Sequence, residues 1–366
     1  TYTVEIPEAD RVWLSIAETR AATHKETLTF TAQANPNTTY RYSTVNLKDD
    51  SGLVAQSILF AQKASGYKTV HVETAGTLEN YISADEKEKL IGLKLTGKLN
   101  TFDYDFMRTM PALESVDLAQ IDNTTIPASC FRESTVKTVI LPLNLEAIPD
   151  NAFSNSSITS IDIPSSVVSI GVGAFGECPD LTGILTLPNN LRIIGAAAFT
   201  HCKQLTGNLI IPNSVVSIGQ RAFSNCNGFN GFLSLGSGLT TVSRQCFERC
   251  SGFTGNLIIP DQITTIEEYA FLDCTGFSGN LVLGAELQSI GDNSLTRLSK
   301  NSSGGSQYWP LNFSKVYCKN STPPAGRLYS AGNPYEFLGV PINSKSNYES
   351  VSSWKDSFRI IQEVEF

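Results

Sequence analysis

One aromatic residue recurs along the middle of the chain at a nearly fixed interval, and no other feature restricts the possible folds as strongly. The members are Phe131, Phe153, Phe175, Phe199, Phe223, Phe247 and Phe271, and Leu295 continues the series. The interval is constant up to Phe175 and then becomes longer by two positions. Self-similarity with a period of about 20 to 50 residues is the signature of stacked repeats. This region is therefore expected to fold as a solenoid.

Other positions repeat in step with the phenylalanines and define one coil. Five of the phenylalanines have a cysteine three residues later, and an L-x-[LI] segment precedes each of the later phenylalanines. We expect that segment to be a short strand, the next apolar pair to face inward, and A-F-x-x-C to form a helical turn, since residues three apart on a helix share a face. A single coil cannot bury its apolar edge, so the coils should stack through parallel strands.

The repeated units resemble the BspA-type leucine-rich repeats of Bacteroidetes surface proteins. Residues 160–178 (SIDIPSSVVSIGVGAFGEC) and 208–226 (NLIIPNSVVSIGQRAFSNC) carry the resemblance, which extends over roughly 110–298. It implies a right-handed α/β leucine-rich-repeat solenoid of short parallel strands and helical turns. Several units depart by an extra Gly-Asn pair, which is expected to widen one corner of the coil.

Repeat arrays need terminal caps, because an end coil would otherwise expose its apolar edge. We expect an N-terminal cap at 65–110 and a C-terminal cap at 299–366. Between them, at 111–298, we expect repeats of about 22 to 24 residues each, a length typical of leucine-rich repeats. In the C-terminal cap a strand ending at Pro341 should lead into a helix around 345–352, followed by a core tryptophan and a final strand.

The segment 1–64 differs in kind from the repeats. The stretches VEIPEADRVWLSI, LTFTAQANPNTTYRYSTVNLKD and AQSILFAQKA resemble a BACON domain, an all-β Ig-like sandwich. The match begins partway into that pattern, so we expect 1–64 to be an N-terminally incomplete sandwich. Trp13 and Trp354 are both expected to lie in cores.

Composition and chain ends bear on partners and location. The chain has 27 Lys and Arg against 35 Asp and Glu, a formal net charge of −8, and no basic stripe, which argues against nucleic acid. No segment approaches the roughly 18 apolar residues of a transmembrane helix. The chain starts at Thr1, so we expect a mature or trimmed chain whose signal or lipoprotein anchor has been removed. The resemblance implies an extracellular or outer-membrane surface protein, and we expect a monomer.

Eight cysteines raise the question of disulfides or a metal site. No C-x-x-C pair is present, which argues against zinc. Stacked cysteines about 5 Å apart could pair, but each inner one would have two equidistant partners, and the five that follow the phenylalanines cannot all pair. Free, buried thiols are therefore expected.

Few residues suggest catalysis. Gly92 to Lys98 imitates a phosphate-binding loop, but Leu99 stands where Ser or Thr should ligate Mg²⁺, and the segment is expected to be a strand. His201 is expected to be a solvated turn residue, and the pairs Asp103/Asp105 and Glu267/Glu268 to be solvated charges. We predict no catalytic residue, metal or cofactor, and no enzymatic activity.

The outward residue between the two inward residues of each strand is the first candidate for a binding surface. These residues are Asp117, Ile140, Asp162, Thr186, Ile210, Ser234, Ile258 and Val282. They form either an extended binding face or a row that only suits β structure.

A second candidate is the pair Tyr308 and Trp309, in a Gly- and Ser-rich segment (300–310) that departs from the repeat. The two rings could stack on a sugar or peptide, or fold back to close the last coil.

Two functional hypotheses follow from the resemblances. The first is a non-catalytic cell-surface binding or adhesion protein that uses the leucine-rich-repeat face to bind host or bacterial surface proteins. The alternative is a carbohydrate-binding component of a glycan-uptake system, suggested by the BACON-like segment. Neither hypothesis involves nucleic acid.

Overall fold

A computed structural model shows a stack of short parallel strands that runs through most of the chain. It describes residues 3–11, 14–16, 30–32, 41–48, 54–62, 66–300, 306–326, 328 and 334–366. No helix in these ranges combines the length and hydropathy that crossing a bilayer requires.

Two ladders of strands run along the solenoid. The first is divided into sheets of four, two and five strands and the second into two sheets of four, and within each sheet the neighbouring strands pair in parallel. The first ladder comprises Tyr67–Val72, Gly92–Gly97, Ser115–Ile121, Thr138–Ile140, Leu209–Ile210, Leu233–Ser234, Leu257–Ile258, Leu281–Leu283, Val316–Cys318, Tyr335–Pro341 and Phe358–Val364. The second comprises Ala147–Ile148, Ser169–Ile170, Ile193–Ile194, Ser217–Ile218, Thr241–Val242, Thr265–Ile266, Ser289–Ile290 and Ala325–Gly326.

The expected strand at 185–187 is displaced in the structure. Leu185 and Leu187 are buried as predicted, but the strand lies at Thr182–Ile184 and pairs with Gln204–Thr206. The first of the longer units carries its extra residues in this part of the coil. The backbone groups of the inserted segment then find partners in the equivalent segment of the next coil.

Helices are few among the described residues. The 3-10 helices are Glu8–Asp10 and Leu78–Tyr81, and the α-helices are Ala84–Lys89, Thr101–Arg108, Lys345–Glu349 and Ser352–Lys355. The predicted order of a strand ending at Pro341, a helix, buried Trp354 and a last strand is confirmed.

The helical turn predicted at A-F-x-x-C is wrong. In 219–226, the N–H groups of Arg221, Phe223 and Asn225 donate to carbonyls of the next coil at 2.7 to 3.1 Å, while the residues between them donate back within the turn. Arg221 and Asn225 have φ angles of 59° and 63°, in the left-handed region. A helix would use its N–H groups internally, whereas this alternation leaves every second one for the neighbouring coil.

The predicted phenylalanine series forms one continuous stack inside the solenoid. Adjacent ring centroids from Phe131 to Phe271 lie 5.1 to 5.7 Å apart, with interplanar angles of 1° to 11°. All seven rings are buried. A second stack, of Phe229, Phe253 and Phe277, runs beside it at 5.2 to 5.8 Å.

Only part of the segment 1–64 belongs to the described ranges. Thr3–Glu5, Arg41–Lys48 and Val54–Gln62 form an antiparallel sheet, and Leu14–Ile16 pairs with Phe30–Ala32. Trp13, predicted to lie in a core, falls outside the described residues. The BACON-like sandwich stays a prediction.

Replacing one ring of the long stack should cost far more stability than replacing an exposed ring. We expect Phe199→Ala to lower the free energy of unfolding by about 3 to 5 kcal/mol, because a fully buried side chain is lost from between two neighbours. Phe199→Leu should cost much less, since Leu295 fills this position in a later coil. Urea unfolding followed by circular dichroism measures both.

The matched control is Phe232→Asn, at an exposed position where neighbouring coils carry Asn208 and Asn256. Its effect should stay within about 0.5 kcal/mol. Equal costs for Phe199→Ala and Phe232→Asn would contradict a stabilising role for the stack.

Candidate binding face

The outward residues predicted from the strand pattern do line up on the first ladder. The register pairs Ile210 with Ser234 and Ile258 with Val282. Thr186, two residues beyond the displaced strand, is exposed. The structure thus brings these side chains onto one face.

The N-terminal end of this row is polar. Asp117 pairs in register with Ile140, and its carboxylate lies 3.3 Å from the ammonium group of Lys94 on the preceding strand. Asp162 is exposed, two residues after Ser160, which bridges to Thr138. The two acidic residues therefore lie at the start of the face and away from its aliphatic part.

A second outward column, missed by the sequence analysis, widens the apolar part of the face. Ile184 and Phe232 stand two residues before Thr186 and Ser234 and are 73% and 47% exposed. Ile210 and Ile258 are 53% and 51% exposed. We call Ile184, Ile210, Phe232, Ile258 and Val282 the apolar strip. The two-residue period of a strand could have revealed the extra column.

The extra Gly-Asn pairs lie beside the apolar strip and tie the coils together. Asn208 accepts the backbone N–H of Phe232 through Oδ1 at 2.9 Å, and Asn256 accepts that of Asn280 at 2.7 Å. Gly207 has a φ of 77°, and a Cβ there would stand 3.1 Å from the side chain of Ile184. Glycine is thus needed both for the turn and for the space that Ile184 occupies.

Aromatic side chains continue the first ladder toward the C-terminal end. Val282 pairs in register with Tyr317, whose ring centroid lies 5.8 Å from that of Phe337 and 6.3 Å from that of Phe366. The ammonium group of Lys315 stands 5.2 Å above the ring of Phe337. The apolar strip therefore ends at a small aromatic cluster with one nearby cation.

Tyr308 and Trp309 lie elsewhere on the molecule. They belong to the strand Ser306–Pro310, which forms an antiparallel hairpin with Thr296–Lys300. The N–H of Asp273, in a turn of the preceding coil, donates to the carbonyl of Thr296. The hairpin thus continues the hydrogen bonds that join the turns of successive coils. Tyr308 and Trp309 therefore do not lie with the outward residues of the first ladder.

The ring of Tyr308 packs back on the solenoid. Its centroid lies 6.4 Å from that of Tyr269, and partial burial together with the neighbouring Tyr269 raises the pKa of the Tyr308 hydroxyl. Trp309 is half-buried. Of the two predicted roles, Tyr308 shows the contact expected for closing the last coil.

The structure shows where the residues considered and rejected for catalysis lie. Gly92–Gly97 is a strand, as predicted. His201 occupies a left-handed turn position with a φ of 61°, and its ring lies 3.8 Å from the carboxylate of Glu177. Glu267 and Glu268 are exposed, as predicted.

The prediction of a solvated Asp103 is wrong, because this residue is only 1% exposed. Its carboxylate accepts the backbone N–H groups of Gly76, Leu78 and Asn100 at 2.7 to 2.9 Å. It also completes a capping box with Asn100 at the start of the helix Thr101–Arg108. Three N–H donors and the helix N-terminus stabilise the buried charge.

The eight cysteines are all free and buried, as predicted. The thiols that follow the phenylalanines each donate to the carbonyl of a phenylalanine in the preceding coil, at 2.9 to 3.0 Å. These pairs are Cys178 with Phe153, Cys202 with Phe175, Cys226 with Phe199, Cys250 with Phe223, and Cys274 with Phe247. In the described ranges, no three His, Cys, Asp or Glu side chains come together where they could hold a metal ion.

One family of known proteins matches the repeats. The BspA type Leucine rich repeat region matches in six copies over 100–230 and 206–303, which together make up more than half of the chain. Among curated proteins, none matches the chain.

Solved structures similar to this chain include three bacterial leucine-rich-repeat proteins. A leucine rich cell surface protein from Faecalibacterium prausnitzii is 18% identical, with 71% of this chain and 94% of that chain covered and a TM-score of 0.33. The leucine-rich-repeat protein of T. pallidum is 22% identical, with 56% and 85% covered and a TM-score of 0.35. One from Bacteroides ovatus is 16% identical, with 96% and 98% covered and a TM-score of 0.29.

Because the thiols are buried, the free energy of unfolding should fall as the pH rises through the alkaline range. Burial raises the pKa of the Cys226 thiol to about 12. Below about pH 8.5 both the folded and the unfolded chain keep this proton, and between there and pH 12 only the unfolded chain loses it. Stability should therefore fall through that window by about 1.4 kcal/mol per pH unit for this thiol.

A Cys226→Ala variant isolates this contribution. It should be less stable than the wild type at pH 7 but lose stability less steeply between pH 9 and 11, since the titrating thiol is gone. Urea midpoints at pH 7, 9, 10 and 11 measure the two slopes. Identical slopes would show that the folded pKa of this thiol is not raised.

Proposed function

Because the chain belongs to the BspA-type leucine-rich-repeat family, we propose that it is a non-catalytic binding protein of the bacterial cell surface whose ligand is a protein that docks on the apolar strip. Leucine-rich-repeat proteins are generally non-enzymatic and suited to protein binding. One similar solved structure is described as a leucine rich cell surface protein. An extracellular or outer-membrane location of a monomeric chain is part of the same proposal.

The observation that carries the proposal is the exposure of large aliphatic and aromatic side chains in adjacent coils of one rigid ladder. Four members of the apolar strip are about half exposed or more. Contiguous apolar surface of this kind is rare on soluble monomers unless it contacts a partner. A protein interface has an apolar centre of the same character.

The chemistry of the surrounding positions points to a protein ligand. Both outward columns between Ile184 and Val282 contain only Ile, Thr, Asn, Phe, Ser and Val, with no charged residue. The charged residues of the face stand at its ends, with Lys94, Asp117 and Asp162 at one end and Lys315 at the other. An uncharged apolar centre flanked by charges resembles the core and rim of a protein interface.

The backbone under the apolar strip is already ordered before any ligand arrives. Ladder hydrogen bonds join Leu209–Ile210 to Leu233–Ser234 and Leu257–Ile258 to Leu281–Leu283, and the N–H of Thr254 donates to the carbonyl of Gly231 between these two pairs. The side chains of Asn208 and Asn256 add further bonds between coils. A preorganised surface loses little conformational entropy on binding, which favours affinity for a given contact area.

The proposal is tested by removing the apolar strip without changing its backbone. The triple variant Ile210→Ser, Phe232→Asn, Ile258→Ser uses residues that already occupy equivalent positions in other coils, at Ser234 and Asn208. Surface plasmon resonance against a panel of host matrix proteins and bacterial surface proteins should show at least one ligand. We expect its affinity to fall at least tenfold in the triple variant, about 1.4 kcal/mol or more.

Ile193→Ser is the matched control, because Ile193 is 48% exposed on the second ladder and Ser169 and Ser217 stand at its equivalent positions. This variant should keep wild-type affinity. A panel without any ligand, or a ligand whose affinity is unchanged by the triple variant, would contradict the proposal.

A further inference from the structure

A shallow depression of about 290 Å³ lies on the second ladder, on residues that form no part of the apolar strip. Its surface is mostly apolar, with polar groups among the lining residues, which are Arg244, Thr265, Ile266, Glu267, Glu268, Ser289, Ile290 and Gly291. Ligand clefts typically measure about 300 to 1,000 Å³, so this one has room for a single small ring and not for an extended chain.

The depression lies beside a glycine, at a position where the two preceding coils have a side chain. Gly291 stands where the two preceding coils carry Ser243 and Glu267. A Cβ at Gly291 would meet the backbone of Glu268, so this position cannot accept a side chain. The side chains of the coil before it therefore stand beside an open floor.

The charged residues around the depression are one arginine and two glutamates, and both carboxylates contact Arg244. One carboxylate oxygen of Glu267 accepts the backbone N–H of Arg244 at 2.7 Å. The carboxylate of Glu268 lies 3.5 Å from the guanidinium of Arg244. The two carboxylates would repel an anionic ligand, while the one negative charge in excess would favour a cationic ligand, so the test includes a cationic competitor.

The polar groups of the lining include both hydrogen-bond donors and acceptors, which suits a neutral ligand with hydroxyl groups. Arg244 offers N–H donors, Glu268 offers acceptor oxygens, and the hydroxyls of Thr265 and Ser289 offer both. The hydroxyl of Ser289 lies 3.3 Å from that of Thr265, and both residues are half-buried. Neighbouring hydroxyls of a sugar both donate and accept hydrogen bonds, so they need donors and acceptors side by side.

An aromatic ring lies close to Arg244, one of the residues that line the depression. The guanidinium carbon of Arg244 lies 6.0 Å from the ring centroid of Tyr269, and Tyr269 in turn contacts Tyr308. Aromatic rings with a polar tip suit a ligand that has apolar C–H and polar O–H surfaces. Successive residues of a strand point to opposite faces, so Trp309 is directed away from Tyr308 and this site.

We propose that this depression binds a neutral saccharide ring, with Arg244, Glu268 and Ser289 hydrogen-bonding its hydroxyls and Tyr269 beside it. The site is separate from the apolar strip and does not depend on the protein ligand proposed there. It gives the alternative of glycan binding a location in the repeats, not in residues 1–64.

Saturation-transfer NMR on the whole chain tests this site. The probes are the methyl glycosides of glucose, galactose, mannose and N-acetylglucosamine, each at millimolar concentration, with n-butylamine as a cationic competitor. We expect saturation transfer to at least one glycoside and no displacement by n-butylamine. Transfer to none of the four, or displacement by the amine, would overturn the proposal.

Substitutions of lining residues test whether the glycosides bind at the depression. Arg244→Gln and Glu268→Ala copy residues of equivalent coils, Gln220 and Ala196, so both should fold. We expect at least a fivefold loss of affinity in each. Arg192→Thr, an exposed position where Thr240 and Thr264 are the equivalents, removes the same charge two coils away and should leave affinity unchanged.

Two further variants separate this proposal from the protein-binding one. Tyr269→Asn should weaken glycoside binding, and its left-handed backbone is shared by Asn151 and Asn293. The triple variant of the apolar strip should retain full glycoside binding. Binding that survives Arg244→Gln, Glu268→Ala and Tyr269→Asn together, or that is lost in the triple variant, would overturn the assignment of the site.

Discussion

The backbone hydrogen bonds between successive coils are the constraint on which the rest of this structure depends. Each coil has peptide groups that only an adjacent coil of the same shape can satisfy, and buried peptide groups without partners are costly. The requirement extends beyond the strands, because alternate N–H groups of the turns, such as those of Phe199 and Phe223, also donate to the next coil. Where the unit length changes, the added segment has its own partners, as Thr182–Ile184 does in its pairing with Gln204–Thr206.

Once the coils are in register, the interior and the exterior obey different rules. Inside, each position meets its own equivalent, so one residue type that packs well on itself can recur, as the phenylalanine rings and the thiols do. On the exterior, the same register does not require equivalent positions to carry the same residue type. One ladder then carries an apolar strip, while the other carries the depression next to Arg244. The two proposed binding functions occupy surfaces that the stacking does not restrict.

Periodicity predicted the solenoid, the parallel pairing and the free thiols, because these depend on equivalent positions meeting each other. The stacking of the phenylalanine rings was found only in the structure. Periodicity also predicted the row from Thr186 to Val282. It did not predict the turns, since A-F-x-x-C fits a helix as well as a turn, and only the neighbouring coil decides between them. The equal spacing of Phe229, Phe253 and Phe277 could have revealed the second stack. Local pattern gave no sign that Asp103 is buried, or that Gly291 leaves a depression beside Glu268.

Hydrogen exchange of the unliganded chain, followed by fragment mass spectrometry, tests the central claim that the turns belong to the stacked ladder. Protection reports how strongly each amide is held against local opening. We predict slow exchange at alternate amides in turns such as 219–226, comparable to that of the strands Ser217–Ile218 and Leu233–Ser234. Turn segments that exchange completely within seconds while the strands stay protected would contradict the account, because the turns would then be ordinary surface loops.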